Sequence, residues 1–251
     1  MTDFSYQLYS SRNFGPLEDT LRMVAEFGYG AVEAFGGIFA ECSDLSALRA
    51  TLDDCGLTMP TGHFGFEMVR DQPDRVRDIA SAMGMSAVIV PAVGPDLRVQ
   101  SAEGWRSFGR ALAEAGKPLQ DAGLTFGWHN HDFEFAAVEG EDKPLDLILA
   151  GDPSLVWEVD AAWIVKGKED PAQWIARYSD RIIAAHVKDI APEGEATDED
   201  GWADVGHGTM DWTALMQQLR GTPCRHFVME HDNPSDDRRF ARRSIEAARG
   251  L

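Results

Sequence analysis

Long apolar runs are missing from this chain. No stretch approaches the ~20 residues that a membrane-spanning helix needs. The first residues, MTDFSYQLYS, lack both a basic head and a long apolar segment, so no export signal is legible. Cysteine is scarce: Cys42, Cys55 and Cys224 are scattered, odd in number and without metal-ligand spacing. That pattern suits free thiols in a reducing compartment, and the expectation is a cytoplasmic protein. Positive charge is also in short supply. With 23 Lys and Arg against 42 Asp and Glu, the net charge is −19, a balance that repels a polyanion at long range. The one dense basic cluster, RRFARR near the C-terminus, reads as the solvated face of a last helix. Neither nucleic acid nor membrane is expected as a partner. Finally, there is no GxGxxG or GxxxxGK[ST] motif, which weighs against an open, doubly wound nucleotide-binding sheet.

What is present is an alternation of two textures. Short runs rich in β-branched and aromatic residues are expected as strands at Phe4–Tyr9, Ala31–Ala34, Thr58–His63, Ala87–Pro91, Thr125–His129, Leu155–Asp160, Ile182–Val187 and His226–Glu230. Amphipathic stretches lie between them. PLEDTLRMVAEFG has Pro16 in its first turn and Gly28 as a stop; SDLSALRATLDDCG has Ser43 as a candidate cap and Gly56 as a stop. In SAEGWRSFGRALAEAGKPLQDAG, Pro118 is expected to bend the helix. Eight strand–helix units in 251 residues predict an α/β fold, a (β/α)8 TIM barrel occupying 1–251 as a single domain. The acidic, glycine-containing segment Ala191–Gly208 is long for a loop of this fold and is expected to act as a lid or substrate loop.

Chemistry in such a barrel gathers at the C-terminal ends of the strands. Those ends carry Glu33, His63, His129, His131, Asp160, His186 and Glu230. Singly, each has a structural explanation: a hydrogen-bonded histidine, a helix cap, a salt bridge. Together they are several apolar strands in succession, each closing on an imidazole or carboxylate. Burying such groups unpaired costs several kcal/mol, and a shared cation removes that cost. Mixed nitrogen and oxygen donors favour Mn, Co, Fe or Zn over Mg as the divalent metal.

The segments GWHNHDFEF, VWEVDAAWIVKGKEDPAQWIARYSDRIIAAHVKD, VGHGTMDW and FVMEHDNP resemble the sugar phosphate isomerase/epimerase family of the xylose-isomerase-like TIM-barrel superfamily. The resemblance covers almost the whole chain and is strongest from Gly127 onward. It implies a metal held by residues at the ends of strands five to eight, manganese being a typical choice. Asp160, His186 and Glu230 match the last three positions. At the first, where the epimerases usually have glutamate, this chain has His129, and Glu134 stands beyond the strand as its rival. Trp163 occupies a position where many relatives carry a histidine; it is expected either to stack on a sugar ring or to pack in the core. Relatives are often dimers, so the resemblance extends to a homodimer, although no exposed feature of the sequence argues for one.

The resemblance also implies a reaction class. Members act next to a carbonyl: a base removes the α-proton and the enediolate is stabilised by the metal. The expected activity is isomerisation or epimerisation of a sugar, ketose or inosose, with dehydration by a lyase as the alternative and a non-catalytic sugar-binding barrel as the third reading. Glu230 is expected as ligand and base, with His131 or Glu134 as the opposing acid/base group. Lys188 points the same way as His186 and either neutralises an enolate oxygen or pairs with Asp189. Glu33 and His63 are candidate substrate contacts, and Trp202 and His207 candidate closing residues on the acidic loop. With no phosphate-binding signature and an acidic chain, an uncharged carbohydrate or cyclitol is the expected small-molecule partner.

Overall fold

The computed structural model describes residues 4–41, 44–98, 101–138 and 142–251. Eight parallel strands close into a barrel: β1 (Phe4–Gln7), β2 (Ala31–Ala34), β3 (Thr58–His63), β4 (Ala87–Val90), β5 (Thr125–His129), β6 (Val156–Asp160), β7 (Ile182–Val187) and, after a two-stranded ribbon of β8 (Asp189–Ile190) and β9 (Trp202–Ala203), β10 (His226–Met229). β10 pairs with β7 on one side and β1 on the other, which completes the (β/α)8 ring. Helices fill the connections, and their boundaries follow local chemistry. The helix Leu17–Phe27 stops at Gly28, whose φ of 93° only glycine adopts readily. The helix Leu45–Asp54 is capped by Asp44, whose carboxylate accepts the Ser46 and Ala47 N–H groups; Ser43 lies outside the described residues. The helix Ala102–Asp121 runs through Pro118 to Asp121, so the proline does not end it.

Alternation along each strand sorts the side chains into two sets. Val32, Val88, Val90, Trp128, Trp157, Val159, Ala185 and Val187 are all buried in the hydrophobic core. The opposite set holds Ile89 and Val228 but is otherwise rich in polar groups: Gln7, Glu33, Thr61, His63, His129, Glu158, Asp160 and His186 are also buried. Branched aliphatic residues dominate the interior of an ordinary barrel of this type, so this chain uses interior space for ionisable groups. Strand register brings them side by side. Gln7 lies opposite Glu33, His129 opposite Glu158, and Asp160 opposite His186. Gly127, two residues before His129, has to be small, because a Cβ there would run into the Val156 carbonyl of the neighbouring strand.

Candidate active site

Asp160, His186 and Glu230 come from the ends of three adjacent strands, and their donor atoms lie within 4.8 Å of one another. Each is placed by local structure. Asp160 caps the helix Ala161–Lys166, with Oδ1 accepting the Trp163 N–H at 2.9 Å. Asn130 clamps the same residue to β5: its Oδ1 accepts the Asp160 N–H at 3.0 Å and its Nδ2 donates to the Asp160 carbonyl at 3.1 Å. The other carboxylate oxygen, Oδ2, is buried without a hydrogen-bond partner among the described residues. His186 Nδ1 stands 2.9 Å from Glu230 Oε2 and 3.9 Å from Asp160 Oδ2. The fully buried Lys188 ammonium reaches Glu230 at 2.8 Å, Asp232 at 2.9 Å and Asp160 at 3.5 Å, beneath the rings of Trp163 and Trp202.

A second group adjoins this one through His186. His63 Nε2 lies 2.5 Å from Glu158 Oε2, while His129 Nδ1 and His186 Nε2 approach the same oxygen at 3.2 and 3.3 Å. Glu33 Oε1 sits 2.8 Å from His186 Nε2 and 3.2 Å from His63 Nε2. Among the described residues, Asp160, His186 and Glu230 form one set of donors close enough to hold a metal and His63, His129, Glu158 and His186 form the other, with His186 in both. The first set offers two carboxylates and one imidazole, and Asp160 Oδ2 makes no hydrogen bond among the described residues, a donor chemistry that fits a divalent transition metal.

The electrostatics divide the group by role. Burial opposes charge on Glu230, yet Lys188 and His186 outweigh it and hold the carboxyl well below its ordinary range. Burial raises Asp160 to about 6 against the pull of Lys188 and His186. Burial lowers His129 to about 3, with His186 adding to the effect, and pushes His131 well below its usual value, helped by His129 and Lys188. These two imidazoles are therefore neutral at ordinary pH. Burial also disfavours charge on His186, but Glu158, Glu230 and Glu33 raise it well above the histidine range.

A cavity of about 670 Å³ opens above, lined by Tyr9, Arg12, Phe35, His63, His129, His131, Trp163, Trp202, Glu230 and Asp232 among others. Several expectations change here. Glu134 does not reach the mouth. Its oxygens accept the Trp128 indole N–H at 3.0 Å and the His131 backbone N–H at 2.9 Å, and it belongs to neither donor set. Burial lifts its carboxyl to about 8. Glu33, like Asp160 and His186, is buried behind the cavity lining, where it contacts His63, His186 and Gln7. Nor does His129 join Asp160, His186 and Glu230; its Nδ1 faces Glu158 in the lower set. Lys188 pairs with Glu230 and Asp232, not with Asp189, whose carboxylate instead accepts the backbone N–H groups of Ile190, Gly206, Gly208 and Met210 and so ties down the acidic loop. On that loop Trp202 is buried in the cavity wall, whereas His207 is exposed and outside it.

Glu158, Asp232 and Asn130 carry functional geometry that sequence reasoning passed over. The signal for Glu158 was available: two residues before Asp160, it has to face the same way. Arg12 and Arg98 also line the cavity, but each is engaged. Arg12 donates to the Tyr9 and Asp232 carbonyls and Arg98 to the Val93 carbonyl.

The Xylose isomerase-like TIM barrel family model matches residues 21–251. The chain belongs to that family. Among characterised relatives it is 27% identical over 196 residues to the inosose dehydratase of Geobacillus kaustophilus, a match covering 69% of this chain and 62% of the relative. The chain thus spans about three-fifths of the length of that dehydratase. Solved structures with the same fold include a sugar phosphate isomerase/epimerase from Parabacteroides distasonis (20% identity, TM-score 0.82, covering 98% of this chain and 94% of the other). A 3-keto-D-glucoside 4-epimerase from E. coli aligns over 100% of both chains at 16% identity and a TM-score of 0.73. At these identities the structural matches establish the fold alone. No helix among the described residues is long and apolar enough to cross a membrane.

Proposed function

We propose that this barrel is a divalent-metal-dependent isomerase or epimerase that removes a proton next to the carbonyl of an uncharged keto-sugar, ketose or inosose. One observation carries the reading: Asp160, His186 and Glu230 bring their donor atoms within 4.8 Å of one another, and Glu230 also lines a cavity whose wall holds the neutral imidazole of His131. A divalent cation bound by those three residues would supply Lewis acidity to polarise the carbonyl and offset charge developing on its oxygen. Mn, Co, Fe and Zn suit the donors best.

The remaining work falls to side chains. Glu230 stays ionised and lines the cavity, with Oε2 held by Lys188 and His186, so it can accept the α-proton. His131, neutral and flanked by Trp163 at 5.3 Å, is the second proton-handling group: it acts first as a base towards the substrate and can return a proton only after it has taken one up. Lys188 is fully buried, so it acts as a positioning residue that orients Glu230 and Asp232 and lends positive potential. Trp163 and Trp202 supply apolar faces on which a ring can lie, and shield the floor from water. An uncharged substrate agrees with a wall in which Arg12, Arg98 and Lys166 are balanced by Asp200, Glu230 and Asp232.

Dehydration is the second reading, favoured by the similarity to inosose dehydratase. It shares the first proton abstraction and differs in what leaves. One experiment covers both: incubate the Mn- or Co-loaded protein with inososes, ketoses and keto-glycosides in D₂O. Deuterium next to the carbonyl, with the product otherwise isomeric, supports isomerase or epimerase action; loss of water supports the lyase. Failure of the metal-loaded protein to exchange an α-proton in any of the three substrate classes would sink the proposal.

A further inference from the structure

Two pairs of aromatic side chains stand on opposite sides of the barrel mouth. In the closed order of the sheet, β6 is the fourth strand from β2 in either direction, so the two strands face each other across the barrel. Phe35 follows directly on β2, and Trp163 lies in the short helix that follows β6. Phe35 packs edge-on against Tyr9, with ring centroids 5.4 Å apart, and Trp163 packs edge-on against Trp202 at 4.8 Å. All four line the 670 Å³ cavity. His131 stands 5.3 Å from Trp163, so a ring whose α-proton is exchanged belongs on the Trp163 side. A single ring placed there leaves Tyr9 and Phe35 across the mouth without a contact. Cavities of roughly 300–1,000 Å³ hold drug-sized ligands, so the space suits something larger than one sugar ring.

The structure also gives that larger ligand somewhere to go. A second cavity, of about 510 Å³, adjoins the first and shares Arg12 and Phe35 with it. It extends to Leu17 and Thr20 of the helix Leu17–Phe27 and to Ile38 of the helix Gly36–Glu41. Among the described residues of its lining, Arg12 alone is charged. Arg12 is fixed where the two cavities meet. Its Nη1 donates to the Tyr9 carbonyl at 3.0 Å and to the Asp232 carbonyl at 2.6 Å, and the guanidinium lies 3.8 Å above the Tyr9 ring. Those bonds use Nη1 and leave Nε and Nη2 as donors for ether or hydroxyl oxygens passing beside them. Glu230 and Asp232 stand close by in the first cavity, so the joined wall carries no surplus of positive charge for an anionic group.

We propose that the substrate is a keto-glycoside and not a free keto-sugar or cyclitol: its reacting ring lies against Trp163, and a second, uncharged ring crosses Arg12 and Phe35 into the adjoining cavity. Each ring then has an aromatic face on which to stack. The leucine and isoleucine side chains of the second cavity cover the apolar part of the second ring, while Thr20 and Asn13 stand in the same wall as polar groups for its hydroxyls. Tyr9, Arg12 and Phe35 are thereby specificity-determining residues that act at a distance from the reacting carbon.

This inference rests on the carbohydrate reading above, and two readouts keep the two apart. The first is α-proton exchange in D₂O by the Mn-loaded protein with 3-keto-glucose, its methyl and phenyl glycosides, and 3-keto-cellobiose. The second is the affinity of the same protein for the unoxidised methyl and phenyl glucosides, measured by calorimetry. At least one two-ring compound should exceed the free keto-sugar and the methyl glycoside in kcat/KM by about tenfold, the upper end of what one stacked aromatic contact supplies. A gain confined to the phenyl glycoside identifies the second ring as aromatic; a gain with 3-keto-cellobiose identifies it as a sugar. Phe35→Ala, which removes the shared wall, and Asn13→Trp, which fills the adjoining cavity from an exposed turn, should each bring the two-ring to one-ring ratio close to 1. Equal kcat/KM for one-ring and two-ring compounds together with equal affinity for the two glucosides would overturn the inference, as would an undiminished ratio in folded Phe35→Ala and Asn13→Trp. If those variants do not fold, the wild-type series decides. Tighter binding of the phenyl glucoside without exchange in any keto compound would overturn the proposed reaction and leave the second-ring site standing.

Discussion

Lys188→Met is the substitution whose consequences follow most directly from the geometry. The ammonium is fully buried and touches two carboxylates, Glu230 at 2.8 Å and Asp232 at 2.9 Å, with Asp160 at 3.5 Å. At an effective dielectric constant of ~20, a unit pair at such a separation gains roughly 6 kcal/mol before desolvation is subtracted. Methionine fills a similar volume but leaves those carboxylates without their cation, and breaking a buried pair by removing one partner costs about 3–5 kcal/mol. For a chain of this size each kcal/mol shifts Tm by roughly 2–4 °C, so metal-free Lys188→Met should melt about 6–20 °C below wild type. A divalent cation offers the same carboxylates a substitute charge. At a metal concentration of ~100 Kd the variant should regain about 2.7 kcal/mol, and it should bind Mn²⁺ more tightly than wild type does, because a like charge has gone from beside Glu230 and Asp160. Calorimetric melting of both proteins, with and without Mn²⁺, reads all of this. Identical metal-free melting temperatures would refute the reasoning, since the ammonium would then not be offsetting buried carboxylate charge.

Other consequences are equally open to measurement. Glu134→Gln should leave metal stoichiometry unchanged but lower stability by about 1–3 kcal/mol, because an amide cannot accept from both the Trp128 indole and the His131 N–H. Burial raises Glu134 to about 8, so the folded chain keeps a proton that the unfolded chain releases from its ordinary 4.5 upward. Its contribution to stability therefore declines as pH rises towards 8, and equilibrium denaturation across that window should lose this slope in the variant. At Glu199 the sign is reversed. Burial opposes its charge, but Arg239 and Ser235 outweigh burial and hold it at about 2, so its contribution is full above its ordinary 4.5 and is lost as pH falls towards 2. Arg239 joins Glu199 and Asp204, on the acidic loop, to the last helix. Arg239→Gln should therefore make limited proteolysis of 191–208 faster at pH about 4 and start the acid transition at higher pH; an unchanged acid profile would argue against this strap. Trp163→Ala should raise KM by about 2–10-fold, from ~0.5–1.5 kcal/mol of lost ring stacking, with metal affinity unaltered.

Periodicity and punctuation made the barrel readable. Apolar runs of strand length alternate with amphipathic segments closed by glycine, and the expected strand ends lie within two residues of those found, from Gln7 to Met229. Asp160, His186 and Glu230 were readable for the same reason: each ends an apolar strand, and a barrel brings such ends together. What could not be read was direction beyond the strand. Glu134 follows β5 closely enough to have curled into the mouth, but the Trp128 indole and a main-chain N–H draw it into the wall. His207 shares a loop with Trp202, yet Asp189 gathers the turn's N–H groups and leaves the histidine outside. Pairings such as His63 with Glu158 or Gln7 with Glu33 depend on register around a closed sheet. Alternation puts those residues inside the barrel, but no local pattern says which of them touch.

The most direct test is metal titration of wild type and Asp160→Ala, each stripped by chelator and then titrated with Mn²⁺ and Co²⁺. Wild type should bind one ion per chain, and the variant, lacking the orphaned Oδ2, should bind at least tenfold more weakly while keeping its circular-dichroism spectrum. A wild type that binds neither ion, or an Asp160→Ala that binds as tightly as wild type, would contradict the assignment of Asp160, His186 and Glu230 as the metal-binding group.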